Sequence, residues 1–360
     1  MSYLRVENLT LSLDSAREED ERALLCHLSL DIEEKEIVGI LGPSGAGKSL
    51  LLRALIGLEK PTEGEIFLEG MALSSLSPSE RSMAYLSQRL VLYPHLSGGK
   101  NAGFFYWIRG LLKKDKDIRF HPVISEVLEH LHLMSSDLLG RLPKTMAGGE
   151  KQRIALARAI ASEAKILLLD EPFANIEDIF RDTLRHFLRK WIQKRGQTAL
   201  IVSHNQEEMA SLCDRLVLLD RGSLIQQGTY EDLSFSPTSR ITALFMGVSR
   251  KNFLPSELLQ KLWGKTLACD VVLLPSLVRQ EPLDEWDVEI KGPIIMVEHF
   301  FREKKKLLCI EYKNELFFWE VDENLPFTKG DRVTLYLPLK EGWFFEKDYP
   351  YRRIYQGVMP

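Results

Sequence analysis

The chain has 360 residues, 45% of them apolar, and a formal net charge of −4. That length suits two domains with sizeable cores, and the mildly acidic balance shows no basic face of the kind that marks a nucleic-acid binder. Nowhere does a stretch of about 18 apolar residues run without charge, so no membrane-spanning helix is expected.

The opening stretch MSYLRVENLTLSL lacks a basic segment followed by an apolar one, so no signal peptide is expected. The acidic run Glu18–Glu21 is most simply a solvated loop. Cys26, Cys213, Cys269 and Cys309 have no CxxC or CxxxC spacing. This argues against a zinc site or a disulfide framework and fits a reducing compartment. Neither an internal repeat nor a low-complexity segment is evident.

Residues 1–235 have an α/β texture. Strand-like runs EIVGIL (36–41), KILLLD (165–170) and TALIVS (198–203) alternate with longer helical patterns. The unbroken apolar run in KILLLD predicts a strand buried on both faces, as in a parallel sheet covered by helices. Residues 105–140 carry a helical pattern, with Val123, Val127, Leu128, Leu131 and Leu133 at three- and four-residue spacings. The texture changes at the Ser/Pro cluster SFSPTS (234–239). A helix is expected at roughly 238–247, and short strands with turns follow. YKNE, between two alternating runs, reads as a hairpin turn. About five short strands in about 70 residues suggest a small barrel of OB-like type. The domains expected are thus 1–235, a linker helix over 236–250, and a β-rich domain over 251–360. Arg302–Lys306 is a short basic cluster, either a solvated turn between strands or a phosphate-binding patch.

The chemistry concentrates in the first domain. Gly42-Pro43-Ser44-Gly45-Ala46-Gly47-Lys48-Ser49 follows a strand and opens a helix at Leu50, and it matches G-x-x-x-x-G-K-[ST] in the context that motif requires. The glycines let backbone N–H groups turn inward around phosphates, and the helix N-terminus adds its positive end. Lys48 would bridge β- and γ-phosphates and the Ser49 hydroxyl would ligate Mg²⁺. Asp170, ending the apolar strand, would hold Mg²⁺ through water. Glu171 is the natural general base for an attacking water. His204 ends another apolar strand, where it could donate to the γ-phosphate.

In this order, the residues resemble the ATP-binding cassette (ABC) ATPases over most of 1–235. The resemblance implies a P-loop NTPase fold with a helical subdomain at about 90–160, ATP and Mg²⁺ as ligands, and Gln88 as the Q-loop residue that senses Mg²⁺ and γ-phosphate. Two strings compete for the family's LSGGQ signature: Leu96-Ser97-Gly98-Gly99-Lys100 and Met146-Ala147-Gly148-Gly149-Glu150. The second leads into GEKQRIALARAI and then the Asp170 strand, as the family's signature helix does, so it holds the signature position. The first is a coincidental match, with Ser97 as a helix N-cap. The resemblance also implies a dimer in which each signature closes over the partner's ATP. Ala147 lacks the family's serine hydroxyl there. Asn175 and Glu177 fall in the D-loop, where Glu177 replaces the usual aspartate. Leu13 stands where an aromatic residue normally stacks on adenine, so base recognition is expected to be weaker.

A single cassette with a β-rich tail resembles the ATPase subunits of bacterial importers, whose tail is of the TOBE type. That resemblance implies a homodimer, or a heterodimer with a related cassette, docked on integral membrane permease subunits with an extracytoplasmic solute-binding protein. The chain would sit peripherally on the cytoplasmic face of the membrane and bind no nucleic acid. Tyr93–Leu96 would either contact the permease or pack the helical subdomain. The tail either binds a regulatory ligand or serves dimerisation and packing. The alternative to a transport ATPase is a regulatory ATP-binding module with weak hydrolysis, motivated by Ala147 and Leu13. A DNA or translation factor of this family would be expected to carry a tandem cassette or coiled-coil insertion, which this chain lacks.

Overall fold

The runs Ile37–Leu41, Ile166–Asp170 and Thr198–Val202 are buried at every residue, which places them in the middle of a sheet covered on both faces. The structure is a computed structural model. It describes residues 2–12, 23–109, 119, 121–247, 250–265, 267–300, 303–347 and 352–354, and the chain divides into two units, Met1–Tyr230 and Glu231–Pro360.

The first unit begins with β1 (Leu4–Ser12), β2 (Ala23–Ile32), β3 (Ile37–Leu41), α1 (Lys48–Ile56), β4 (Glu63–Leu68), β5 (Met71–Ala72) and β6 (Met83–Leu86). Helices α2 (Gly98–Ala102), α3 (Phe104–Ile108), α4 (Pro122–His130), α5 (Ser136–Gly140) and α6 (Gly148–Ile160) follow. The unit closes with β7 (Ile166–Asp170), α7 (Asp178–Arg195), β8 (Thr198–Val202), α8 (Gln206–Leu212), β9 (Arg215–Asp220) and β10 (Ser223–Gly228).

Six strands form one sheet in the order β10-β9-β3-β8-β7-β6. Within it, β9, β3, β8, β7 and β6 run parallel, and β10 is antiparallel to β9. A second, antiparallel sheet has the order β2-β1-β4-β5. Between the two sheets α1 buries Leu51, Leu52 and Leu55 in the core that both share.

The helical pattern over 105–140 resolves into α3, α4 and α5, with 110–118 and 120 outside the described residues. In α4 the buried positions are Ile124, Val127 and Leu128, and Val123 is only half-buried. Leu131 and Leu133 are buried beyond its end. A buried polar centre organises this region. Asn101, fully buried, accepts from the Tyr93 N–H at 2.8 Å and donates to the carbonyls of Tyr93, Leu96 and Ser97. The Arg158 guanidinium of α6 lies 5.3 Å from the Tyr93 ring and donates to the Val91 carbonyl at 2.6 Å. Tyr93 and Leu96 are therefore used in packing, whereas Pro94 and His95 are exposed.

The second unit begins within α9 (Tyr230–Phe235) and continues with α10 (Arg240–Phe245), β11 (Asn252–Leu254), α11 (Ser256–Trp263) and β12 (Asp270–Leu273). The chain continues with β13 (Asp287–Phe300), β14 (Lys305–Tyr312), β15 (Glu315–Asp322), β16 (Arg332–Pro338), β17 (Trp343–Phe345) and β18 (Arg353–Ile354). Two antiparallel sheets result, β11-β12-β17-β18 and β15-β14-β13-β16, around one apolar core. YKNE is the β14–β15 turn, and Lys313 and Asn314 both have positive φ, 52° and 67°. That is the type I′ geometry whose twist matches the paired strands. The first half of β13 pairs with β16 and the second half with β14. The change of partner occurs near Gly292, where a Cβ would lie 1.9 Å from the Glu311 carbonyl oxygen.

Replacing Asn101 by Ala removes four hydrogen bonds and leaves buried backbone groups unpaired. The substitution is expected to lower stability by about 2–4 kcal/mol, read from urea unfolding. An unchanged midpoint would refute the role of Asn101 as the organiser of the 93–97 segment.

Candidate functional site

Because β3, β8 and β7 are parallel neighbours, their C-terminal ends lie side by side. The chain leaves β3 at Gly42, ends β7 on Asp170, and reaches His204 two residues beyond β8. The sheet alone thus gathers three segments far apart in sequence.

The loop after β3 is shaped by contacts that exclude side chains. A Cβ on Gly42 (φ 148°) would sit 2.2 Å from the Leu219 carbonyl oxygen, and one on Gly47 (φ 96°) would sit 2.5 Å from Leu25 Cδ2. Pro43, Ser44 and Gly45 are exposed, while Ala46 and Leu50 are buried and anchor the two ends of the turn. Lys48 opens α1, and its ammonium donates to the carbonyls of Gly42 and Pro43, both at 2.8 Å. Burial lowers the Lys48 pKa from its ordinary value, and Glu171 and Asp170 pull it back up.

Asp170 is 2% exposed, and its Oδ1 has no hydrogen-bond partner. Burial pushes its carboxyl above the usual range, against the opposing pull of the Ser49 hydroxyl, the Lys48 and Arg53 charges and the Gln88 backbone N–H. Gln88 itself is exposed, two residues past β6. An orphaned carboxylate oxygen beside a serine hydroxyl is a hard oxygen donor set. It fits Mg²⁺, which is commonly held by one or two carboxylates with substrate phosphates completing its shell. Among the described residues no group of three or more His, Cys, Asp or Glu forms a self-sufficient metal cage.

Glu171 occupies the left-handed region, φ 51°, with its N–H donating to the Val202 carbonyl of β8 at 2.9 Å. Its side chain is 13% exposed, and both carboxylate oxygens lie 3.1 Å from Nδ1 of His204, whose ring is 81% exposed. Burial raises the Glu171 pKa. His204 lowers it, and Asp170 and Glu208 raise it further. Behind His204, the Ser203 hydroxyl donates to Glu208 Oε2 at 2.9 Å, and Asn205 caps α8 by accepting from the Glu208 N–H at 3.0 Å. The imidazole therefore rests on a braced turn.

Met146–Glu150 starts α6. Met146 is buried, Ala147 and Gly148 are exposed, and Ala147 is an N-cap without a side-chain acceptor. The Glu150 carboxylate turns back to accept from the Ala147 N–H at 2.8 Å and lies 3.5 Å from Arg141. Gly149 presses on the D-loop, since a Cβ there would be 2.8 Å from the Asn175 carbonyl oxygen. Asn175 has φ 58°, and Glu177 precedes α7 as an N-cap without a side-chain bond. The rival string Leu96–Lys100 has a different role. Ser97 caps α2, its hydroxyl accepting from the Lys100 N–H at 3.5 Å, and Gly98 packs under Ile154, Met146 and the Leu138 carbonyl. Leu13 lies outside the described residues.

Two participants were not singled out in the sequence. Tyr85, near Asp170, has its hydroxyl pKa raised to about 12, chiefly by burial. Gln152 is 1% exposed, and its side-chain amide donates to the carbonyls of Glu171 and Pro172 at 3.1 and 3.0 Å. Its signal is a polar residue on the apolar face of α6, in line with the buried Ala155, Leu156 and Ala159.

The comparisons with known proteins agree with this geometry. The family described as "ABC transporter" matches residues 25–174. The sulfate/thiosulfate import ATP-binding protein CysA 1 of Agrobacterium fabrum is 38% identical over 230 residues, 64% of this chain and 66% of that protein. The sn-glycerol-3-phosphate import ATP-binding protein UgpC 1 of Rhizobium johnstonii is 39% identical over 63% of this chain. The match spans 60% of the length of that relative, under two thirds. The maltose/maltodextrin import ATP-binding protein MalK of Escherichia coli K12 is 31% identical over 343 residues, 89% of this chain and 91% of that protein. A dimeric ATP-binding cassette solved in a post-hydrolysis state with ADP and Pi superposes with a TM-score of 0.57 at 25% identity. It covers 63% of this chain and 98% of that one.

Burial works against the charged form of Asp170, so its replacement is expected to have opposite effects on folding and on ligand binding. Asp170→Asn is expected to stabilise the nucleotide-free chain by about 0.5–2 kcal/mol while removing the rise in melting temperature on adding Mg·ATP. Thermal melts with and without Mg·ATP read both effects, and a retained Mg·ATP shift would exclude Asp170 as a ligand.

Proposed function

Since the chain belongs to the ATP-binding subunits of ABC transporters, we propose that it hydrolyses ATP at the ends of β3, β7 and β8 and drives solute import through a membrane permease. The observation that carries the hydrolytic part is the pairing of Glu171 with His204 at 3.1 Å, on neighbouring strand ends beside Lys48. A binding module without turnover has no need of a buried carboxylate braced against an imidazole.

The roles follow from the geometry. The inward-turned loop Gly42–Gly47 and the start of α1 receive the phosphates, and the Lys48 ammonium at the mouth of the loop meets their β,γ bridge. Ser49, Asp170 and Gln88 would hold Mg²⁺, which would neutralise charge on the phosphates. Glu171 orients the attacking water and accepts its proton, a task suited to a carboxyl whose burial raises its basicity. His204 keeps the carboxylate in place and presents its ring toward the γ-phosphate position.

Two cassettes, identical or related, pack head to tail so that Ala147–Gly149 of one close over ATP held by the other. The exposure of Ala147 and Gly148 at the start of α6 supports this placement. Permease subunits dock beside the Q-loop, where Pro94 and His95 are exposed on a loop fixed by Asn101 and Arg158. An extracytoplasmic binding protein supplies the solute, and the chain works peripherally on the cytoplasmic face. The importer assignment rests on the printed functions of the relatives. The 89% span of the maltose relative exceeds what the first unit alone contributes, so the likeness continues into the β-rich tail, as in TOBE-bearing subunits. The relatives lend no support to a purely regulatory module.

Glu171→Gln is expected to cut kcat by about 10²–10⁴-fold while ATP still binds, measured by phosphate release and by retention of a fluorescent ATP analogue on the full-length chain purified with its membrane partners. Wild-type turnover no faster than that of Glu171→Gln would refute hydrolysis. Ala147→Ser restores a hydroxyl to a charge-assisted contact and is expected to raise kcat by about 10-fold. An unchanged or lower kcat would show that the serine position does not limit turnover.

A further inference from the structure

The general base is tied to the protein by its backbone as well as by its side chain. Two of the backbone ties belong to the turn and the sheet: the Glu171 N–H donates to Val202 O at 2.9 Å, and the Ala174 N–H donates to Glu171 O at 3.1 Å. The third comes from a side chain on another element. Gln152, on α6 and fully buried, donates both amide hydrogens into the turn, to Glu171 O at 3.1 Å and Pro172 O at 3.0 Å. Its own Oε1 is buried without a partner, so the amide is present for its donors. A flipped amide would aim oxygen at two carbonyl oxygens. The residue so held has φ 51°, a backbone state that non-glycine residues keep only when their surroundings enforce it.

We propose that Gln152 is a positioning residue for hydrolysis: its amide clamps the left-handed turn at Glu171 and so aims the Glu171 carboxylate at His204 and the attacking water. The inference rests on the hydrolytic reading above and adds to it a residue that touches neither substrate nor metal. It also gives α6 two duties, because the same helix opens with the exposed signature and packs through Gly149 on Asn175. A shift of that helix on contact with the partner's nucleotide reaches the chain's own base through one side chain.

Gln197 provides an internal control. It is also buried, donates through Nε2 to a backbone carbonyl (Ala164, 2.7 Å) and leaves Oε1 unpaired, but it lies at the opposite ends of β7 and β8. The test compares Gln152→Met, Gln152→Glu, Gln152→Asn and Gln197→Met in the full-length chain with its co-purifying partners. The readouts are kcat, KM for Mg·ATP, affinity for the fluorescent ATP analogue, and melting temperature. Gln152→Met and Gln152→Glu are expected to lower kcat by about 10-fold to 100-fold, with KM and analogue affinity changed less than about threefold. Gln152→Asn, one methylene shorter, should fall between these and wild type. Gln197→Met should lose melting temperature and keep kcat.

A wild-type kcat in Gln152→Met overturns the proposal. So does an equal loss of kcat in Gln152→Met and Gln197→Met at equal loss of melting temperature, which would mark the effect as structural. Should Gln152→Met fail to bind the analogue, Gln152→Asn decides, and an unchanged kcat there overturns the proposal. Wild-type turnover no higher than that of Glu171→Gln instead removes the hydrolytic reading, a result separate from any of these.

Discussion

A carboxyl group at the end of a strand that water barely reaches is the constraint on which this molecule is built. An unsatisfied polar oxygen in such a place works against folding, and Asp170 carries one. The surrounding architecture tolerates it. Its own strand β7 and the neighbouring β8 are buried at every position, and Lys48 and Ser49 at the start of α1 and the Gln88 backbone N–H approach it. On the proposed reading, substrate and cation would complete the coordination of that oxygen, so ligand binding would offset a strain built into the fold. That is how binding energy becomes available to move other parts of a machine.

The motifs at the strand ends were legible in the sequence because chemistry dictates the residue types and the sheet dictates their context. Gly42–Ser49, Asp170-Glu171 and His204 could be read without coordinates. The competition between two signature-like strings was harder. Leu96–Lys100 spells the family motif more closely because α2 must press on α6, and close packing there demands glycine at 98, as the contacts with Met146 and Ile154 show. Small residues chosen for packing and small residues chosen for ligand approach look alike on paper. Gln152 illustrates a different limit. Its partner carbonyls lie 19 and 20 residues away, and a polar residue within an apolar stripe says that something is bonded without saying what.

The β-rich unit shows the same division between local and distant information. The YKNE hairpin was readable because a type I′ turn is decided by its own two central residues. The sharing of β13 between two partner strands was not, because the close approach of Gly292 to Glu311 depends on a strand not yet placed. Asn252 is a further case. Its amide pairs with the backbone of Phe318, 66 residues on, through bonds of 2.8 and 2.7 Å, and so stands in for a strand neighbour between β11 and β15.

Ala147 and Gly149 sit two residues apart yet answer to different judges. Gly149 is pressed against the backbone of its own chain, so any larger residue there is opposed at the moment of folding, in every cell that makes the protein. Ala147 is exposed at the helix start and bonded through its backbone alone, so a hydroxyl there meets no steric obstacle in its own chain and would add a helix N-cap bond. On the head-to-tail pairing proposed above, a residue at 147 would answer to the turnover of the assembled pair, whereas Gly149 answers to the packing of its own chain.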